Sequence, residues 1–171
     1  MILVDLSAKI ILKKMVKHNS IFIVILSTFL LISCGNNQPQ IISKNFPETG
    51  WHRFDKLSFD MQIASVKNNY SISAIIKHSP DLEYDRIPLH IIMTYPSGEE
   101  RIWEQIIKIR DKDGNLNGVL KDGVVDLEVV IRSKLTFNET GKIKLLVEQI
   151  IPKYDTPGIF SFALKLTSEK G

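Results

Sequence analysis

The sequence predicts an all-β fold for residues 50–171, an antiparallel β-sandwich of about seven to eight strands. Two observations carry this. Seven short segments alternate apolar and polar residues with a period of two, and clusters of Gly, Pro, Asn and Asp separate them. A third observation agrees: no stretch of useful length with helical period follows residue 34. About 120 residues can close one core of this kind. Neither an internal repeat nor a second domain is visible.

Leu57, Phe59, Met61 and Ile63 alternate with Ser58, Asp60 and Gln62, giving the first strand one apolar face. Tyr70, Ile72, Ala74 and Ile76 repeat the pattern before the turn KHSPD. Ile87–Tyr95 is almost continuously apolar, as expected of a strand covered on both faces, with Pro88 confined to its start. YPSGEE then turns the chain into Arg101–Arg110. Val125, Leu127, Val129 and Ile131 oppose Asp126, Glu128 and Arg132. Asn138–Gly141 turns into Ile143, Leu145 and Val147, and Phe160, Phe162, Leu164 and Leu166 close the domain.

Residues 1–33 read as a signal peptide. Lys13, Lys14 and Lys17 precede Ile21–Ile32, a predominantly apolar run of 12 residues. That is short for a bilayer crossing, which takes about twenty, and suits the apolar region of a secretory signal. A compact signal of ordinary length would begin at Met15, and translation is expected to start there. The run ends in Leu31-Ile32-Ser33-Cys34-Gly35, which resembles the bacterial lipobox: Leu at −3, a small residue at −1, then the cysteine. Processing would join diacylglycerol to the Cys34 sulfur, cut before Cys34 and acylate the freed amine. Acyl chains contribute about 0.8 kcal/mol per buried methylene, so several on one residue anchor a protein almost permanently. Residues 34–49, the lipidated cysteine and the polar GNNQPQIISK that follows, have the composition of a flexible tether.

Composition excludes several classes of function. Cys34 is the only cysteine, which rules out an internal disulfide framework and a Cys-rich zinc site. Of 22 basic and 19 acidic residues, 1–33 hold Lys9, Lys13, Lys14, Lys17 and Asp5, leaving 18 of each sign. The formal charge of +3 therefore belongs to the signal, and no nucleic-acid footprint remains in the domain.

The most suggestive chemistry is DKDGNLNGVLKD, residues 111–122. Asp111, Asp113 and Asn115 occupy positions 1, 3 and 5 of a calcium-loop pattern, with Asp122 at position 12. Leu116 stands where the pattern needs Gly, Asp122 is shorter than the expected Glu, and the flanks read as strands where helices are required. A polar hairpin loop with Asp-Gly and Asn-Gly turns, and no metal, is the expectation. His52, His78 and His90 form no pair at metal spacing. His78 falls in a turn and His90 within an apolar strand, so structural roles are expected of them. No G-x-S-x-G or Gly-rich phosphate loop occurs, and the scattered carboxylates single out no glycosidase pair. Trp51, Trp103, Tyr84 and Tyr95 could form a sugar-stacking platform, although aromatics in a sandwich more often fill its core. No enzyme and no cofactor are expected.

A set of motifs runs in order along the chain: the lipobox at Cys34, GWHRFDKLSF opening the domain, and Tyr70 starting a strand. YDRIPLHIIMTYPSG, IRDKDGNLNG, FNETGKIKLLVEQIIP and PGIFSFALKL follow. In this order, across 34–167, they resemble the gliding-motility lipoprotein family GldH of the Bacteroidetes. The chain departs from that pattern at Pro88, where Asn is common, and at GVLKDG, which replaces a more Gly-rich run. The resemblance implies an outer-membrane lipoprotein, a non-enzymatic accessory or assembly component of the gliding-motility and type IX secretion apparatus. Its implied partners are the membrane, through the lipid on Cys34, and other envelope lipoproteins or secretion and motility proteins. In that phylum acidic residues just after the cysteine usually mark surface export. None lies between Cys34 and Glu48, which favours the periplasmic face. The alternative is a carbohydrate-binding lipoprotein of a glycan-uptake system using exposed aromatics. A third class would be a periplasmic glycan hydrolase with two unassigned carboxylates.

Overall fold

Alternation with a period of two places the apolar residues of each segment on one side of a strand. In the computed structural model of the protein, which describes residues 38–170, those sides meet between two antiparallel sheets. The nine strands are β1 (Gln40–Asn45), β2 (Leu57–Ile63), β3 (Asn68–His78), β4 (Arg86–Thr94), β5 (Glu100–Lys108), β6 (Val119–Lys121), β7 (Val124–Leu135), β8 (Gly141–Gln149) and β9 (Ile159–Lys170). One sheet has the order β1-β9-β3-β7-β6 and the other β2-β8-β4-β5. Phe59 and Met61 of β2, Ile72 and Ile76 of β3, Leu89 and Ile91 of β4, Leu145 and Val147 of β8, and Phe162 and Leu164 of β9 are buried between them. Each such side chain contributes about 1.5–3 kcal/mol when fully buried.

All seven predicted strands are present, and the structure adds two. β1 takes 40–45 out of the expected tether by pairing with β9, from Gln40 opposite Leu166 to Asn45 opposite Ser161. An edge strand is held chiefly by its backbone, so the polar composition that suggested a tether does not oppose it. β6 lies inside the expected loop and pairs with β7 only from Val119–Asp126 to Lys121–Val124, closed by a tight turn with Asp122 at φ 50° and Gly123 at φ 78°. Two further expectations need correction. Phe160 is exposed and Ile159 is buried in its place, because β9 spends an extra residue between the pairs Ser161–Lys77 and Ile159–His78. β4 is fully buried on one face only. Pro88, His90, Ile92 and Thr94 lie on its outer face, half-buried by neighbouring side chains and not by another layer.

Because every paired neighbour is antiparallel, the connections sort into two ends. The end where the chain enters β1 carries 64–67, 95–99 and 136–140, each of four or five residues. The far end carries 46–56, 79–85, 109–118 and 150–158, of seven to eleven residues, together with the Asp122-Gly123 turn.

Candidate functional site

The long connections at the far end are tied to one another. Trp51, in the loop after β1, is completely buried between Phe46 and Phe162, with ring centroids 5.2 Å from each. Its indole N–H donates to the Asp55 carbonyl at 3.1 Å. Its carbonyl accepts from Gln149 Nε2 at 3.3 Å and from the Thr156 hydroxyl, both buried on or after β8. Gln149 Oε1 in turn accepts from the Ile151 N–H at 2.8 Å, so this buried amide is engaged on both sides. Gly50 makes the approach feasible: its φ is +83°, and an added Cβ would stand 1.8 Å from the Thr156 carbonyl oxygen.

The other two long loops join the same network. Ser79 N–H donates to Gly158 O at 2.7 Å. The Arg110 guanidinium donates to the carbonyls of Leu82 and Pro80, both at 2.9 Å, and to Asp85 at 3.2 Å. Lys153 reaches Glu83 at 2.9 Å and sits 5.6 Å from the Tyr84 ring centroid. The result is an ordered surface that displays large rings. Phe54 is 68% exposed and Tyr154 64%, with centroids 6.0 Å apart. His52 packs on Tyr154 at 5.4 Å and pairs through Nδ1 with Asp155. Sequence reasoning missed this patch, because the signal that Phe54 and Tyr154 share a surface is carried by loops 100 residues apart, in the Arg53 N–H to Tyr154 carbonyl bond of 2.9 Å.

The calcium-like residues are divided between two turns. Asp111 Oδ1 accepts from the Asp113 and Asn115 N–H groups at 2.8 and 2.9 Å, and Oδ2 accepts from Asn115 Nδ2 at 3.1 Å. These bonds, the Asn115 side chain first and its N–H second, hold the Asp111 carboxyl below its ordinary range. Its oxygens thus organise the loop's own amides. Asp122 belongs to the separate β6–β7 turn. Among the described residues no three acidic, His or Cys side chains are grouped to hold a metal ion.

His78, expected in a turn, is the last residue of β3 and is fully buried. Its Nδ1 donates to the Ser79 carbonyl at 2.7 Å, whereas the buried Nε2 has no partner among the described residues. Burial lowers its pKa, the Ser79 bond opposes this, and the positive charge of Arg110 adds to the lowering. The imidazole is therefore held neutral. The four aromatics of the proposed platform are not brought together as one surface. Trp51 is core, Tyr84 packs under Lys153, and only Trp103 and Tyr95 line one cleft, beside β5. Both of those rings are covered by guanidinium groups, Arg132 at 4.6 Å from Trp103 and Arg101 at 5.2 Å from Tyr95. Cys34 lies outside the described residues.

The family model for the GldH lipoprotein matches residues 42–166. Among solved structures, the chain is similar to dimeric latent PorU from Porphyromonas gingivalis at 7% identity and a TM-score of 0.37, covering 77% of this chain and 13% of that one. It is also similar to the VP2 subviral particle of infectious bursal disease virus at 12% identity and a TM-score of 0.32, covering 78% of this chain and 33% of that one. The chain thus spans a third or less of either protein's length. No curated protein matches its sequence.

Proposed function

The chain belongs to the GldH lipoprotein family, and from that premise we propose that it acts by contact, as a non-enzymatic accessory or assembly component of the gliding-motility and type IX secretion apparatus. A lipid on Cys34, exposed by removal of residues 1–33, holds it at the periplasmic face of the outer membrane. With β1 part of the sheet, the leash is 35–39, and Cys34 to Gln40 spans at most about 20 Å at roughly 3.3 Å per residue.

The observation that supports contact is the far end. Four long connections are fastened to one another and present Phe54 and Tyr154 to solvent. A fixed surface with large exposed rings suits a macromolecular partner, since contact energy concentrates on a few aromatic anchors. Deleting the gene is expected to impair gliding or type IX cargo export in an organism that has them. Complementation should fail with Cys34→Ser and weaken with Phe54→Ala plus Tyr154→Ala. It should survive each single exposed Asp, Glu or His change. One folded, correctly localised variant of those last types that abolishes function, while its neighbours do not, would replace contact by catalysis.

A further inference from the structure

A two-sheet sandwich has four edge strands, and each offers backbone groups to another strand unless something covers them. Here β6 is three residues long and β1 six. β2 is covered at Gln62, whose N–H donates to Gln40 Oε1 at 2.8 Å and whose carbonyl accepts from Gln40 Nε2 at 2.7 Å. β5 is nine residues long, has no proline, and pairs only with β4.

Which β5 amides are free follows from the ladder. The Pro88 carbonyl accepts from the Ile150 N–H at 3.0 Å on the β8 side, and Pro88 lies opposite Ile106. In an antiparallel pair that makes Ile106, and by alternation Ile102 and Glu104, direct N–H and C=O away from β4. Gln105 Nε2 covers the Ile106 carbonyl at 3.2 Å, and Asn117 Nδ2 covers that of Lys108 at 3.0 Å. Ile102 and Glu104 have no such cover among the described residues. The side chains of Ile102 and Ile106 stand 60% and 51% exposed on the outer face.

On the inner side, β5 and β7 frame a cleft of about 310 Å³ lined by Met93, Tyr95, Arg101, Trp103, Arg132 and Ser133. Arg101 pairs with Glu99 at 3.4 Å, but Arg132 has no carboxylate within 4.0 Å among the described residues. Trp103 Nε1 is buried and has no acceptor among the described residues. The cleft is rich in donors and short of acceptors.

We propose that β5 is the docking edge for an extended segment of a partner protein. The segment adds a fifth strand beside β5, pairs with the free groups of Ile102 and Glu104, lays apolar side chains on Ile102 and Ile106, and sets an inward carboxylate against Arg132. A second copy of this chain fits less well. The antiparallel register that opposes Ile102 to Ile106 also opposes Glu104 to itself, and a shift by two residues opposes isoleucine to glutamate.

This assignment rests on the contact reading above and names one surface for it. The test uses the full lipidated chain in detergent and two nine-residue peptides of alternating valine and threonine. One carries glutamate at the central inward position, the other lysine. The glutamate peptide is expected to bind about tenfold tighter and to slow exchange at the outward amides of β5, those of Ile102, Glu104 and Ile106, and not elsewhere in the domain. Arg132→Glu should invert the preference, and Glu104→Pro, which removes only an outward N–H, should weaken both peptides. If Glu104→Pro unfolds the protein, the charge inversion decides. Equal binding of both peptides, protection at β1 or the far end, or self-association that protects β5 would each overturn the assignment. Such a failure beside a gliding defect in Cys34→Ser removes the edge and leaves the contact reading intact.

Discussion

At the end where the chain enters β1, three connections of four or five residues each turn one strand into the next. At the opposite end four connections of seven to eleven residues cross, bury a tryptophan, a glutamine and a threonine, and bond to one another. The short turns meet through side chains, with the Tyr95 and Phe137 ring centroids 5.6 Å apart, while Gly98 adopts φ +87° in the 95–99 turn with nothing within 4 Å of where its Cβ would be. Gly50 adopts nearly the same φ, yet its missing side chain is what lets two distant loops meet. The lesson is that the far end is locked backbone to backbone, so that Gly50 there has a tertiary role, while Gly98 at the near end answers only to its own turn.

Parallel substitutions put that contrast under load. Gly50→Ala should cost about 4 kcal/mol in denaturant unfolding, through a backbone clash added to strain, whereas Gly98→Ala should cost about 1 kcal/mol from strain alone. Equal costs would erase the distinction between the ends. Gln149→Ala removes a buried amide that serves both Trp51 and the Ile151 N–H, and a loss of about 2 kcal/mol is expected. Gln105→Ala, which uncovers a carbonyl at an exposed edge, should stay within about 0.5 kcal/mol.

Acid should also act on the far end first. His78 has its folded pKa lowered by burial, so the unfolded chain binds the proton more readily. Stability is then full above the unfolded value near about 6.5 and declines as pH falls below it, by at most about 1.4 kcal/mol per pH unit. Melting temperatures at pH 7.5 and 5.5 should differ more in the wild type than in His78→Gln. Amide exchange should localise the early loss to 79–85 and 150–158. The smallest effect expected is that of calcium. Millimolar calcium should leave the melting temperature unchanged within about 1 °C, since a site filled only in the folded state would raise it. A reproducible rise, removed by Asp111→Ala plus Asp113→Ala, would give the 109–118 loop a ligand and set it apart from its neighbours.

How much of this was legible depends on what holds each part. The seven strands with a buried face announced themselves, because Leu57, Phe59, Met61 and Ile63 or Val125, Leu127 and Ile131 cannot alternate so without a face to bury. β1 and β6 did not, since edge pairing is a backbone matter and leaves little trace in side chains such as Gln40, Ser43 or Lys121. Phe160 misled for a related reason: a bulge shifts the face by one residue without changing the alternation that follows it in Phe162, Leu164 and Leu166. The far end was visible only as motifs. GWHRF marked a glycine-tryptophan pair, but its need for Thr156 and Gln149 is written across 100 residues of intervening chain. The cleft beside β5 was half visible, through Trp103 and Tyr95. The guanidinium that covers Trp103 was not, because Arg132 comes from the other sheet.

The antiparallel seam between β1 and β9 also determines how the protein takes a mechanical load. A pull delivered through the residues before Gln40 enters at the first residue of β1 and runs along the strand toward the far end. If a partner holds the far end, the six registered pairs from Gln40–Leu166 to Asn45–Ser161 are sheared together and not opened one after another. The Gln40 amide, clasped to both backbone groups of Gln62, adds a rivet from β1 to the second sheet at the point where tension arrives. Such a joint resists force along its strands and yields more readily to a peel across them, so the domain would transmit tension in one direction and release it in another.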